Sequence, residues 1–312
     1  LAQLTDQELA GIAHDFYLSK LNIAEISQKY DLSRYLIAKA LEDAENRGIV
    51  KIQITHRIKR NQQLEREFQK KFNLKEAFIL QSSENKDEDA EAIVNFAAKQ
   101  IETYLKNAKT IGISWGSTMR GIINDFDEKN LNQLYFVQLL GQAINANRRK
   151  NPLAQKAAEK LHVQSLSLPA PLYMLNSDLI MELKREPYFE VIETCYHNLD
   201  LLFTGIGTMQ SIKVNQFLDR NYVPILFKDI PEEKVAGTIM GRPYDIDGHF
   251  FQNFEKHICG VSITDIMKTP IRFCVVRDQF KATALLGALR TGTLTHLVTN
   301  DVIANRVLQN MA

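Results

Sequence analysis

The chain has 312 residues, 45% hydrophobic and 24% charged, with a net charge of +1. That length provides two domains and a sizeable core, and the near-zero charge excludes a general coat for nucleic acid, so any DNA contact must be local. There is no apolar run of membrane-spanning length and no signal peptide, which points to a soluble cytoplasmic protein with no membrane partner.

Thr5 with Glu8 forms a capping box for a first helix, whose apolar face is Leu9, Ile12, Ala13 and Phe16. Asn22 caps a second helix that packs Ile23, Ile26 and Tyr30. Ser33 caps a third, which buries Leu36, Ile37, Ala40, Leu41 and Ala44 and turns Arg34, Tyr35, Ala38 and Lys39 outward. Gly48 stops that helix, and 49–54 alternates as a short strand. Two short helices and a tight turn into a third make a helix-turn-helix, whose last helix enters the DNA major groove. The bland alternative is a three-helix cap on an unrelated domain. Local charge favours DNA: residues 1–60 are nearly neutral, but 46–75 carry nine Lys or Arg against two Asp or Glu. A basic stretch there suits the phosphate backbone, although any one lysine of it reads equally well as a solvated face.

Residues 55–63 are polar and read as a hinge, which makes 1–54 a DNA-binding domain and 64–312 a second domain. An amphipathic helix follows, with Leu64, Phe68 and Phe72 spaced by four. Strands are then predicted over 77–80, 110–114, 134–140, 199–204, 271–276 and 296–299. Helices are predicted over 87–105, 119–124, 152–161, 178–183 and 281–289. Apolar strands separated by helices imply an α/β fold, a doubly wound, Rossmann-like parallel sheet. Such sheets bind ligands beyond the carboxyl ends of their strands.

Two turns at those ends are candidates for chemistry. Residues 110–118 run from an apolar strand into Trp115-Gly-Ser-Thr118, where Gly116 allows close approach and Ser117 and Thr118 offer hydroxyls beside helix amides. That suits a phosphate, and reads equally as an ordinary capped turn. In the second turn Gly205 and Gly207 bring amides toward an anion, but Gln210 stands where a dinucleotide fingerprint needs glycine. Asp245 and Asp247 are placed to accept sugar hydroxyls, although an Asp-Gly turn is the commoner reason for such a run. Lys281 opens a helix, where a cation opposes the dipole unless an anion offsets it. The triplet Arg148-Arg-Lys150 reads as surface. Cys195, Cys259 and Cys274 lack metal-ligand spacing and read as reduced core thiols, and no metal or cofactor is expected.

The segments 47–54, Ile113-Ser-Trp-Gly-Ser-Thr118, Leu168-Pro-Ala-Pro171, 200–207, Asp245-Ile-Asp-Gly248, 281–290 and 297–301, in this order, resemble the SorC family of bacterial sugar-binding transcriptional regulators. The resemblance covers almost the whole chain. It implies a helix-turn-helix domain joined to an effector domain of the sugar-phosphate isomerase-like α/β type, phosphorylated sugars as inducers, and homotetramers on double-stranded operator DNA. By position, Ser33, Arg34, Tyr35 and Lys39 fall on the recognition helix. Gly116, Ser117, Thr118, Gly205, Gly207, Asp245, Asp247 and Lys281 fall at the effector pocket. Many relatives carry an Arg or Lys before a Gly-Gly pair after the third core strand. Here the chain reads Leu139-Leu-Gly-Gln142, so Gln142 or Asn145 is expected to substitute by hydrogen bonding.

The function implied is a regulator of a carbohydrate operon whose DNA affinity follows a phosphosugar, not an enzyme. The alternative is a sugar-phosphate isomerase or aminosugar-phosphate deaminase on the same scaffold. It would need an acid/base set near the phosphate loops, for which Asp247 and His249 are the nearby candidates. A non-DNA adaptor using the three helices for protein contacts fits the basic tract poorly.

Overall fold

The computed structural model describes residues 4–50, 59–83, 85–131, 133–143, 152–252 and 254–311. The chain divides into two units, 1–57 and 58–312. In the first, α1 (Asp6–Tyr17), α2 (Ile23–Tyr30) and α3 (Arg34–Asn46) each begin at a side-chain cap. Glu8 accepts the Thr5 amide at 2.8 Å while the Thr5 hydroxyl accepts the Glu8 amide. Asn22 accepts the amides of Ala24 and Glu25, and Ser33 accepts that of Leu36. Leu9, Ile12, Ile26, Ile37, Ala40, Leu41 and Ala44 form the core, and Leu36 is only half-buried. Asp15 is buried and accepts Lys29 at 2.7 Å and the Tyr30 hydroxyl at 2.9 Å, which ties α1 to α2. Asp31 takes a left-handed conformation between α2 and α3.

Beyond α3 the prediction of a strand fails where it can be checked. Gly48 adopts a φ of 72°, and the amides of Ile49 and Val50 both return to the Ala44 carbonyl. The chain folds back onto its own helix end, a glycine C-cap, instead of extending. Residues 51–58, which hold the rest of that strand and much of the expected hinge, lie outside the described residues, as do Asn145 and the triplet at 148–150.

The second unit begins before 64. Lys59 and Asn61 hydrogen-bond to Gln81 and Ile79, and Arg60 pairs with Glu65 at 2.7 Å. Residues 59–63 are therefore part of this unit and not hinge. Then come α4 (Gln62–Phe72), β1 (Glu76–Leu80), α5 (Lys86–Leu105), β2 (Thr110–Ile113), α6 (Ser117–Asp125), β3 (Tyr135–Gln138), α7 (Leu153–Leu161) and β4 (Gln164–Leu166). Next are α8 (Ser177–Leu183), α9 (Pro187–His197), β5 (Leu201–Thr204), β6 (Ile206–Gly207), α10 (Met209–Lys213), α11 (Gln216–Asn221) and α12 (Val223–Leu226). The unit closes with β7 (Gly237–Ile239), β8 (Arg242–Tyr244), α13 (Ile263–Lys268), β9 (Ile271–Val275), α14 (Ala282–Arg290), β10 (His296–Asn300) and α15 (Asp301–Gln309).

Seven strands form one sheet in the order β1-β10-β9-β5-β2-β3-β4, with every neighbouring pair parallel. Strand residues alternate between two cores. Phe78, Ile111, Ile113, Leu201 and Phe203 pack with α5, α6 and α7, while Ile79, Leu202, Cys274 and Leu297 pack with α4, α9, α14 and α15. This is the expected doubly wound α/β sheet. The short strand β4 and a second sheet, β6-β7-β8, escaped the sequence reading because each strand has only two or three residues. The second sheet is antiparallel, and Met240 and Gly241, at φ 45° and 77°, make its hairpin turn. Cys259 and Cys274 are buried, Cys195 is half-buried, and none is in a disulfide.

Candidate functional site

The order of the large sheet fixes where a ligand can enter. From β2 the chain winds outward through β3 and β4, then returns to the other side of β2 with β5 and continues through β9 and β10. The order reverses between β2 and β5, so the loops after these strands diverge and leave a crevice. A cleft of about 240 Å³ lies there, and both predicted loops line it.

Each wall is positioned by local chemistry. At Gly116 the backbone has φ 146° and ψ 162°, a conformation that only glycine adopts readily, and no side chain caps the helix it starts. The first-turn amides of α6, at Ser117 and Thr118, thus have no side-chain cap. Ser114 borders the cleft with a buried hydroxyl that has no hydrogen-bond partner. Buried polar groups are nearly always paired, so this hydroxyl retains unused hydrogen-bonding capacity beside the cleft. By contrast α10 is already capped, because Thr208 and Ser211 satisfy one another. The loop of Gly205 and Gly207 therefore shapes the cleft more than it offers amides. A Cβ at Gly207 would lie 2.6 Å from the Thr238 hydroxyl, whereas one at Gly205 would make only ordinary contacts.

Lys281 supplies positive charge. It sits at the start of α14, which the Tyr244 hydroxyl ties to the second sheet by donating to the Ala284 carbonyl at 2.9 Å. Its ammonium is 2.9 Å from Asp278, and its side chain is largely buried.

Gly116, Ser117, Thr118, Gly205, Gly207 and Lys281 thus share one cleft, and three further predicted residues do not line it. Asp245 serves its own turn. One of its oxygens accepts the amides of Asp247 and His249, at 3.0 and 2.8 Å. Asp247 faces Arg290, whose guanidinium also holds the Ile246 carbonyl. Asp245, Asp247 and His249 gather their ligand atoms within 4.8 Å, which the tight turn itself accounts for. Gln142 pairs through its backbone with Pro171 and leaves its side chain exposed, while Leu140 and Ala143 line the cleft instead. Sequence reading also passed over Ser114 and Asp278. A serine ending an apolar strand was the available signal for Ser114, and for Asp278 it was a carboxylate three residues before a helix-opening lysine.

On the first unit, Arg34, Tyr35 and Lys39 are exposed, Tyr35 at 74%, and among the described residues Arg34 and Lys39 make no ion pair. Ser33 is exposed, but its hydroxyl is engaged in capping α3.

Residues 56–309 match the model of the family described as "Putative sugar-binding domain". The sorbitol operon regulator of Klebsiella pneumoniae is 25% identical over 307 residues, covering 96% of this chain and 97% of that protein. The crystal structure of full-length SorC from the same organism superposes with a TM-score of 0.67 at 24% identity, covering 97% and 99% of the two chains. A transcriptional regulator from Streptococcus pneumoniae TIGR4 gives 0.72 at 24% identity over 80% of this chain and 97% of that one. A helix-turn-helix pattern ahead of a sugar-binding α/β unit, matched along nearly its whole length, places this chain in the SorC family of sugar-binding transcriptional regulators.

Proposed function

We propose that this regulator of a carbohydrate operon reads double-stranded operator DNA through α3 and responds to a phosphorylated sugar held in the cleft between β2 and β5. One observation supports the phosphate: the uncapped N-terminus of α6, Ser114 with its unpaired hydroxyl and Lys281 all border the same cleft. Amides, a hydroxyl and a cation around one cavity suit an anion and give a neutral sugar little charge to answer. Control of DNA affinity then requires the effector to favour one arrangement of the chain over another. Exposed Leu179 and Met181 on α8 and Tyr188 and Val191 on α9 support a homo-oligomer, proposed as a tetramer, that covers them. The protein acts in the cytoplasm, and no described helix is long and apolar enough to cross a membrane.

Calorimetry on the full chain tests the phosphate. A sugar phosphate should bind at least about tenfold tighter than its free sugar, since charge-assisted hydrogen bonds contribute roughly 1.5–3 kcal/mol. Equal affinities would remove the assignment. Gel shifts with and without that ligand test its effect on DNA.

The enzyme alternative finds less support. Among the described residues lining the cleft there is no carboxylate or imidazole, and Asp247 and His249 are not among them. Incubation with pentose and hexose phosphates should yield no product. Steady conversion, abolished by Asp247→Asn or His249→Ala, would reverse this reading.

A further inference from the structure

The basic tract that follows the helix-turn-helix extends into the second unit. Residues 59–75, all within that unit, carry six Lys or Arg against two Glu, in a chain whose net charge is +1. Packing decides which of these charges reach solvent unopposed, and both acids are occupied. Glu65 is 5% exposed and takes Arg60 at two points, Nε at 2.7 Å and Nη2 at 2.9 Å, while also accepting the Ile79 amide at 2.9 Å. Glu67 pairs with Lys71, one turn along α4, at 2.9 Å.

Leu64 and Phe68 face the core. The outer side of α4 then presents Gln62, Gln63, Arg66 and Lys70, all exposed, with Arg66 and Lys70 one turn apart on the same line. Lys59, also exposed, stands just ahead of the helix. Among the described residues Lys59, Arg66 and Lys70 make no ion pair. An ordinary solvated face mixes both signs, as α5 does with exposed Lys86, Asp87, Glu88, Glu91 and Lys99. Cations and side-chain amides without a free carboxylate are instead the donor set that meets nucleic-acid phosphates and sugars.

This face is fixed to the second unit. The Lys59 carbonyl accepts the Gln81 amide at 2.8 Å, the Asn61 amide donates to the Ile79 carbonyl at 2.7 Å, and the Asn61 side chain caps α4. Eight residues, 51–58, separate Val50 at the α3 cap from Lys59, a chain of at most roughly 30 Å. DNA held by α3 is thereby kept at high local concentration around the second unit.

Resting on the DNA reading above, we propose that Arg66 and Lys70, with Lys59, form a second DNA contact, which grips the phosphate backbone and reads no sequence. It adds affinity equally to every duplex and leaves discrimination to α3.

Binding of the full chain to two duplexes over a range of salt tests this: one selected by the protein from a random pool, the other a scrambled copy. Each phosphate contact contributes roughly 0.9 to the slope of log affinity against log salt. Arg66→Gln with Lys70→Gln should lower that slope by about two and weaken binding by about one to two decades, equally on both duplexes. These side chains are exposed, so thermal melts should match the wild type. Arg66→Lys with Lys70→Arg should keep the wild-type slope. Lys99→Gln with Lys106→Gln, an equal loss of charge at α5, should leave it nearly unchanged.

An unchanged slope in the α4 double variant overturns the proposal. So does an equal fall in the α5 variant, which net charge alone would produce. Weakening confined to the selected duplex would make these residues readers of sequence and overturns it too. A changed assembly state in sedimentation, with the slope kept, would give the face to contact between copies of this chain instead. If the wild type selects no duplex, the DNA reading falls and this proposal with it. If the wild type selects one and only the slope test fails, the reading through α3 stands.

Discussion

The ammonium of Lys281 lies 2.9 Å from the carboxylate of Asp278, so the cation that faces the cleft already has a partner on its own turn. An arriving phosphate must share Lys281 with Asp278 or displace it. Lys281→Ala should weaken phosphosugar binding by roughly one to two decades, the worth of a charge-assisted hydrogen bond. Asp278→Asn should act in the opposite direction, strengthening binding by a factor of about three to ten, because it frees the cation and removes a like charge from the approach. Calorimetry on both variants checks the pair. Weaker binding in Asp278→Asn would show that the carboxylate orients Lys281 instead of competing for it.

At α3, Arg34→Ala and Lys39→Ala should each reduce discrimination among DNA sites and leave the fold intact, with a lost base contact worth about 1–3 kcal/mol. Ser33→Ala is expected to differ. Its hydroxyl caps α3, so the loss should appear as about 0.5–2 kcal/mol of stability in the first unit, with site preference retained. Gel shifts on competing sites, paired with thermal melts, separate the two effects. Unchanged preference in both Arg34→Ala and Lys39→Ala would dismiss α3 as the reading helix.

Gly116→Ala isolates backbone strain from crowding. Nothing lies within 4 Å of the added Cβ, yet φ 146° is closed to alanine. Destabilisation of about 1–3 kcal/mol is expected, together with weaker phosphate binding as the loop relaxes away from the α6 amides. Urea melts and titration with inorganic phosphate measure both. An unaltered melt would mean that the loop takes another conformation without cost.

His296 sets a pH limb on the second unit. Burial, with Lys75 and Arg272 adding repulsion, holds the imidazole down at about 4 from its ordinary 6.5. The folded state binds fewer protons than the unfolded one between these values, so stability is complete above pH 6.5 and is lost as pH falls toward 4. The loss attributable to this group is on the order of 2–3 kcal/mol. The ring packs on Phe273 and Tyr104, so His296→Phe should keep the packing and flatten the slope between pH 6.5 and 5. Urea melts across this range provide the measurement, and an equal slope in the variant would assign the limb to other groups.

The three N-terminal helices were legible in the sequence because their signals are local: a cap, a glycine stop and an apolar stripe lie within a dozen residues of one another. The large strands were legible for the same reason, and the cleft-lining loop at 114–118 followed from where strand gives way to helix. Asp245 and Asp247 do not line the cleft, and in sequence an Asp that serves its own turn and one that holds a ligand read alike. Only the fold reveals that the amides of Asp247 and His249 already occupy Asp245. Strand order, the meeting of the β2 and β5 loops and the unpaired Ser114 hydroxyl were decided by tertiary structure. Each depends on contacts between segments far apart in the chain, such as Leu140 with Gly260 and Gln142 with Pro171, and no local pattern encodes such pairs.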